Sequence, residues 1–204
     1  MARISARKCK TCRRLGASVC GREKCAVKRR PFAPGMHGPN ARRKRPIGYA
    51  FQLLEKQKAR FAYGIMEKQF RNYVKKAAQK KGDTGVLLKL LLEHRLDNVV
   101  FRLGFTKTRA AARQLVNHGH VLVNGRKVDI PSYSVRSKDE ISIKDGKAES
   151  KLFDGVRKQL PSHEPPSWLR LDPVAYKGTV LGKPTDDELS SLFDAKPIIE
   201  FYSR

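Results

Sequence analysis

Apolar residues recur at helical spacing from residue 49 onward. In 49–63 and again in 66–78 they return every third or fourth position, with Phe70, Tyr73, Val74 and Ala77 along one side of the second segment and Lys68, Arg71, Lys75 and Lys76 on others. Gly82-Asp83-Thr84-Gly85 breaks this pattern and offers Asp83 or Thr84 as the amino-terminal cap of a dense apolar helix, 86–92, expected to be buried. Leu96, Val99, Val100 and Leu103 fall at i, i+3, i+4 and i+7 before Gly104 as a stop, and Thr106 or Thr108 caps a further short helix. The period then changes to two: 121–123 and 126–130 alternate around Asn124-Gly125, a pair that favours the tight turn of a β-hairpin. The last third is irregular. Pro161, Pro165 and Pro166 precede Trp168, Thr185 stands ahead of Asp186, Asp187 and Glu188 as a helix start, and Ile198, Ile199 and Phe201 read as a final buried strand. This region is expected to pack, with its acids pairing with basic surface or a protein partner. The fold class is α+β.

Charge decides the partner. The chain has 204 residues, 40% of them hydrophobic, which suffices for one good core or two small ones. Its 44 Lys and Arg give a formal net charge of +25, a self-repulsion that a compact protein tolerates when a polyanion neutralises it. Nucleic acid fits best. No run approaches the ~18 apolar residues of a bilayer span, and an anionic membrane surface would call for a basic amphipathic helix with bulky apolar residues opposite. Residues 1–50 hold fifteen Lys and Arg against the single acid Glu23. From 29 to 46 prolines and glycines exclude a regular helix, and Arg29, Arg30, His37, Arg42, Arg43, Lys44 and Arg45 are expected to lie extended along a phosphate backbone.

All four cysteines, Cys9, Cys12, Cys20 and Cys25, fall in this arm. The spacing C-x2-C, a short gap, then C-x4-C suits a zinc knuckle with four sulfurs on one tetrahedral ion, the metal supplying folding energy that so polar a segment lacks. Disulfides, an iron–sulfur cluster and free thiols are the alternatives. The first eight residues carry charge and no apolar run of a secretory signal, which weighs against disulfides.

On the helix after Thr108, Arg109, Arg113 and Asn117 share an arc of roughly 80°, with Ala111, Ala112, Leu115 and Val116 on the far side. Such a helix presents two guanidiniums and an amide to solvent, suited to phosphate and to sugar or base edges. Asn124, Arg126 and Lys127 at the hairpin tip are expected beside it. His118 and His120 are read either as RNA contacts or as turn and core histidines. No phosphate loop, His-Glu metal pair or nucleophile elbow appears, so the chain is read as a non-enzyme with no small-molecule substrate.

Leu92-Glu93-His94-Arg95-Leu96-Asp97-Asn98-Val99-Val100-Phe101-Arg102-Leu103-Gly104-Phe105, with Ala112-Arg113-Gln114-Leu115-Val116, His118-Gly119-His120 and Val123-Asn124-Gly125, resembles the RNA-binding domain of the bacterial-type small-subunit ribosomal protein S-four family. The likeness extends along the chain through the cysteine knuckle, Glu55-Lys56-Gln57-Lys58, Gln69-Phe70-Arg71-Asn72-Tyr73, Pro131-Ser132-Tyr133 and Ile199-Glu200-Phe201-Tyr202. It implies a basic zinc-knuckle arm at 1–46, a mainly helical domain at 47–94 completed by 156–204, and an inserted RNA-binding domain of two helices and a β-hairpin at 95–155. It further implies direct binding to the 5′ domain of small-subunit ribosomal RNA at a helical junction, nucleation of subunit assembly, contact with ribosomal protein S-five that influences decoding accuracy, and location in the cytoplasmic small subunit of a bacterium or in an organelle. Lys56, Lys58 and Arg71 join the expected RNA contacts, and zinc is implied for part of the family. Two departures stand out: a shorter gap between Cys12 and Cys20, and Lys138 where glycine is common. The same small domain accompanies pseudouridine synthases, but Arg95-Leu96-Asp97 lies in a helical pattern and no catalytic domain accompanies it. A stand-alone RNA chaperone is the alternative function.

Overall fold

The computed structural model describes residues 8–40, 46–144, 153–157, 160–189 and 191–203. Their contacts divide into two units, residues 1–89 with 190–204 and residues 90–189.

The first unit is helical, with α1 (Lys8–Leu15), α2 (Ala26–Arg29), α3 (Tyr49–Ala62), α4 (Glu67–Ala78), the start of α5 (Thr84–Glu93) and, from the carboxyl end, the last helix, Lys196–Ser203. Phe70, Val74 and Ala77 form the buried stripe of α4, as their spacing requires. At α5, Asp83 is the cap: its carboxylate accepts from the N–H groups of Gly85 and Val86. Residues 196–203 overturn one expectation. Ile198, Ile199 and Phe201 lie on a helix rather than a strand. Ala195, Ile198, Ile199 and Tyr202 recur at helical spacing, Pro197 stands in the first turn where its missing N–H costs nothing, and the Asp194 carboxylate accepts from Lys196 N at 3.1 Å. This helix packs on α3 and α4.

The second unit contains α6 (Leu96–Arg102), α7 (Arg109–Asn117), β1 (Val121–Val123), β2 (Arg126–Lys127), β3 (Glu140–Ile143), α8 (Asp154–Arg157), β4 (Leu169–Asp172) and β5 (Lys177–Val180), which makes the helix at 196–203 α9. The five strands form one antiparallel sheet in the order β2-β1-β3-β5-β4. Asn124 and Gly125 both have positive φ, 50° and 75°, as a type I′ turn demands, and pair Val123 with Arg126. Lys138 takes φ 73°, a conformation that glycine adopts without strain, so the backbone there is of the type a glycine would serve.

Residues 160–189 correct the expected domain plan. They lie with the second unit, because β5 pairs with β3 and brings Leu160, Trp168, Leu169 and Val180 into the core built by Leu96, Val100, Leu103 and Leu115. The acids at 186–188 form a short 3-10 turn closed by a capping box between Thr185 and Glu188. Gly178 explains how closely sheet and helix approach, since a Cβ there would stand 2.5 Å from both methyls of Leu103. Gly178→Ala is expected to cost about 1–3 kcal/mol through overpacking, seen as a lower urea midpoint in the fluorescence of Trp168, the one tryptophan of the chain. An unchanged midpoint would mean that Leu103 has room to move.

Candidate nucleic-acid interface and metal centre

Helix α7 starts where Thr108 Oγ1 accepts from Ala111 N at 3.2 Å, and it buries Ala112, Leu115 and Val116. Ala111, assigned to the packed side, is exposed. The larger correction concerns the arginines. Neither guanidinium is simply presented to water. Arg109 Nε donates to Asn98 Oδ1 at 2.7 Å while its guanidinium lies 4.6 Å above the Phe101 ring, and Arg113 Nη1 stands 3.6 Å from Asp97 Oδ2.

Both partners belong to a buried polar platform on α6. Asn98 Nδ2 donates to the Glu93 carbonyl and carboxylate at 2.9 and 2.7 Å, which fixes the amide so that its oxygen faces Arg109. Glu93, 1% exposed, also receives Arg102 Nε and Nη2 at 3.0 and 2.9 Å. Asp97 receives Arg95 Nε and Nη2 at 3.0 and 2.7 Å, a bidentate pair with Arg95 1% exposed. Buried charges must be paired to be tolerated, and here the pairing orients the arginines of the neighbouring helix. Sequence reasoning missed Glu93, Asp97 and Asn98 as site-building residues. Their signal was available as charged and amide positions inside an otherwise apolar helical run, 92–103.

At the end of α7, Asn117 and His118 are exposed and His120 is half-buried, with the two imidazoles 6.0 Å apart. Lys127 lies across Gly119, where a Cβ would come within 2.1 Å of its Cε, so the hairpin returns a lysine to the helix terminus. Arg126 is exposed. Asn124 is exposed at the tip and also engaged within the hairpin. Its amide donates to Asp139 Oδ1 and accepts from Glu140 N, both at 2.9 Å, tying the turn to β3.

Other expected contacts separate into exposed and internally paired groups. Arg29, Arg30, His37 and Arg71 are exposed. Arg42, Arg43, Lys44 and Arg45 lie outside the described residues. Lys56, 8% exposed, pairs with Glu67 at 3.0 Å and sits 4.3 Å above the Phe201 ring. Lys58 pairs with Glu55 at 2.6 Å. These two lysines are thus engaged within the helical unit. Burial raises the Glu67 carboxyl, but hydrogen bonds from Tyr202 and Lys56 and the charges of Lys56 and Arg60 outweigh it and hold the group below the ordinary carboxylate value. The arm, through residue 40, is not extended. Arg13 donates to the carbonyls of Phe32 and Ala33 at 3.0 and 3.1 Å and stacks on the Phe32 ring, which folds 32–38 into a turn closed by Gly38 N to Gly35 O.

Cys12, Cys20 and Cys25 converge, their sulfurs all within 4.8 Å of one another. Cys9 lies outside this group, although three residues before Cys12 on α1 puts it along the same face. Burial pushes the Cys12 thiol up to about 12, reinforced by its hydrogen bonds to Cys20 and Cys25. Burial acts on Cys25 in the same sense, but hydrogen bonds from the Ser18 hydroxyl, the Val27 N–H and the other two thiols bring it below the ordinary thiol value. Sulfurs on one tetrahedral zinc stand about 3.8 Å apart, given Zn–S bonds of ~2.3 Å, so a small contraction fits three of these side chains to a metal ion. Among the described residues no helix is long and apolar enough to cross a membrane.

A net charge of +25, together with a short helix pair leading into a hairpin, the arginines of the second helix held on Asn98 and Asp97 of the first, defines a nucleic-acid-binding module. Residues 94–141 match the S4 domain family, and residues 3–93 match the ribosomal protein S4/S9 N-terminal domain. The chain is 47% identical to the small ribosomal subunit protein uS4 of Syntrophomonas wolfei over all of both chains. It is 47% identical to that of a Roseiflexus species and 46% identical to that of Thermus thermophilus, covering 96% of each pair. The chain belongs to the bacterial small ribosomal subunit protein uS4 family.

Proposed function

We propose that this chain is a structural, non-catalytic component of the small ribosomal subunit that binds the 5′ domain of its ribosomal RNA at a junction of helices. There it nucleates assembly and sits beside ribosomal protein S-five, in contact that bears on decoding accuracy, in the cytoplasm of a bacterium. The observation that carries the RNA reading is the orientation of Arg109 and Arg113 on a buried platform of Asn98 and Asp97. Rigid guanidiniums read the shape of an A-form backbone, whose deep groove hides base edges. Asn117, His118, His120, Arg126 and Lys127 extend this surface, and Arg29, Arg30, His37, Arg42, Arg43, Lys44, Arg45 and Arg71 supply further phosphate contacts. The test is binding of the full chain to a 5′-domain fragment, competed with an equally long unrelated structured RNA at moderate salt. A large preference for the ribosomal fragment is expected. Equal binding would replace this reading with that of a general RNA chaperone.

The arm is proposed to hold one structural zinc through Cys12, Cys20 and Cys25, with Cys9 as fourth ligand. Zinc suits an all-thiolate set, and it would supply the folding energy of a segment with few apolar residues. Elemental analysis is expected to find one zinc per chain and none in Cys12→Ser or Cys25→Ser, with the arm opened to protease. Cys9→Ser, leaving three thiolates, should weaken retention against a chelator; full retention would remove Cys9 from the set.

A further inference from the structure

The arm folds on very little apolar surface. Among its described residues the buried apolar ones are Cys12, Leu15, Val19 and Cys25, and α2, 4 residues long, buries none of its own side chains. A helix of one turn does not persist unaided, and here side chains of α1 reach both of its ends. At the start, the Cys12 sulfur lies within 4.8 Å of that of Cys25, the residue that precedes α2. Past the other end, Arg13 Nε and Nη2 donate to the carbonyls of Phe32 and Ala33 at 3.0 and 3.1 Å, and the guanidinium stacks 4.8 Å from the Phe32 ring centroid. Cys9, Cys12 and Arg13 share an arc of roughly 100° on α1. The face that carries the cysteines thus also carries the guanidinium.

This grip needs arginine. Two successive carbonyls and an aromatic face are met together by a planar fork, whereas an ammonium is a point charge. The chain also closes tightly on the same peptide: Gly38 N donates to Gly35 O at 3.2 Å, and a Cβ on Gly38 would stand 1.9 Å from Ala33 O. Lys28, Arg29, Arg30 and His37 are exposed on the segment so folded. Their placement therefore depends on Arg13.

We propose that Arg13 is a positioning residue that couples the cysteine cluster to the basic arm. With the cysteines drawn together on a metal, α1 presents the guanidinium that folds 32–38 and fixes Lys28, Arg29, Arg30 and His37; with the cluster opened, that segment is released. A prearranged segment loses less freedom on binding than a loose one. The state of the cysteines thereby regulates RNA affinity although no cysteine touches RNA. The inference rests on the zinc and RNA readings above.

Chymotrypsin tests the coupling on the full chain, because the Phe32–Ala33 bond it cuts carries the carbonyl that Arg13 Nε holds. Cleavage there, followed by mass spectrometry, is expected to be slow in the parent and to speed up about 10-fold or more after a chelator, since cleavage follows the open population. Arg13→Lys and Arg13→Gln should be cut fast with or without chelator, while elemental analysis finds the same metal content as in the parent. Protection of Arg13→Gln equal to the parent's would overturn the proposal, and so would a parent whose protection survives the chelator. Loss of metal from Arg13→Gln would overturn it too, by making the guanidinium part of the metal centre's own fold.

Arg13→Lys tests the consequence for RNA, because it keeps the charge. Its affinity for the 5′-domain fragment is expected to fall roughly 3- to 30-fold, the cost of ordering one or two more side chains on binding, with the salt slope unchanged because no cation is lost. Parent-like affinity in Arg13→Lys would overturn the proposal; joined to a slope lower by about one in Arg13→Gln, it would make Arg13 a phosphate contact instead. A parent chain that holds no metal fails the zinc reading alone, and Arg13→Gln still decides whether the guanidinium holds the turn. A parent without preference for the ribosomal fragment fails the ribosomal reading, and the cleavage rates stand.

Discussion

Asp97→Ala lowers the stability of the second unit by about 3–5 kcal/mol, the range for removing one partner of a buried ion pair. Asp97 is 3% exposed and accepts from Nε and Nη2 of Arg95, itself 1% exposed, while also facing Arg113. Alanine would take the carboxylate away from one arginine buried in the core and from a second that faces it. The loss is a desolvation penalty on what remains, so it exceeds what the pair contributes on its own. Trp168 belongs to the same core, and its fluorescence reports this unit. The urea midpoint should fall by more than about 1 M with little change in slope. Asp97→Asn, which keeps the shape and one acceptor oxygen, should lose less. A midpoint within error of the parent for Asp97→Ala would show that water reaches Arg95 and that the platform is not dry.

Raising salt from about 50 to 200 mM weakens RNA binding by roughly 10³- to 10⁵-fold if six to ten phosphates are contacted. A chain of net charge +25 has cations enough, but several are occupied within the protein. Lys56, Lys58 and Arg60 neutralise Glu55 and Glu67, and Arg95 and Arg102 neutralise Asp97 and Glu93. The slope therefore reports the exposed cations, among them Arg29, Arg30, Arg71, Arg126 and Lys127. Filter binding across a salt series measures it, and a slope near zero would mean that shape and stacking carry the affinity instead. Single replacements are best made at Arg126 and Lys127. Arg113→Glu would set an acid against Asp97 and confound binding with stability.

Elements set by neighbouring residues were legible without coordinates. The stripe of Phe70, Val74 and Ala77, the caps, narrowed to Asp83 or Thr84 and to Thr106 or Thr108, and the Asn124-Gly125 turn each depend on residues within about one turn of one another. The family was legible too, since its motifs occur in order along the chain. The short run at 195–202 fits either period over so few positions, and only packing on α3 and α4 makes it helix. β4 and β5 join the hairpin sheet through pairings such as Ile141 with Gly178, a relation between distant residues that no local pattern contains. The same holds for charge. Composition establishes how many cations the chain carries, but whether Lys56 meets Glu67 or a phosphate, and whether Arg113 faces Asp97 or water, depends on which helices fold against each other. By itself the sequence determined the helices between residues 49 and 117, the hairpin, the partner class and a cysteine motif of which three members converge; the tertiary structure decided which charges are paired within the protein, because pairing a buried charge requires a partner that only folding brings within reach.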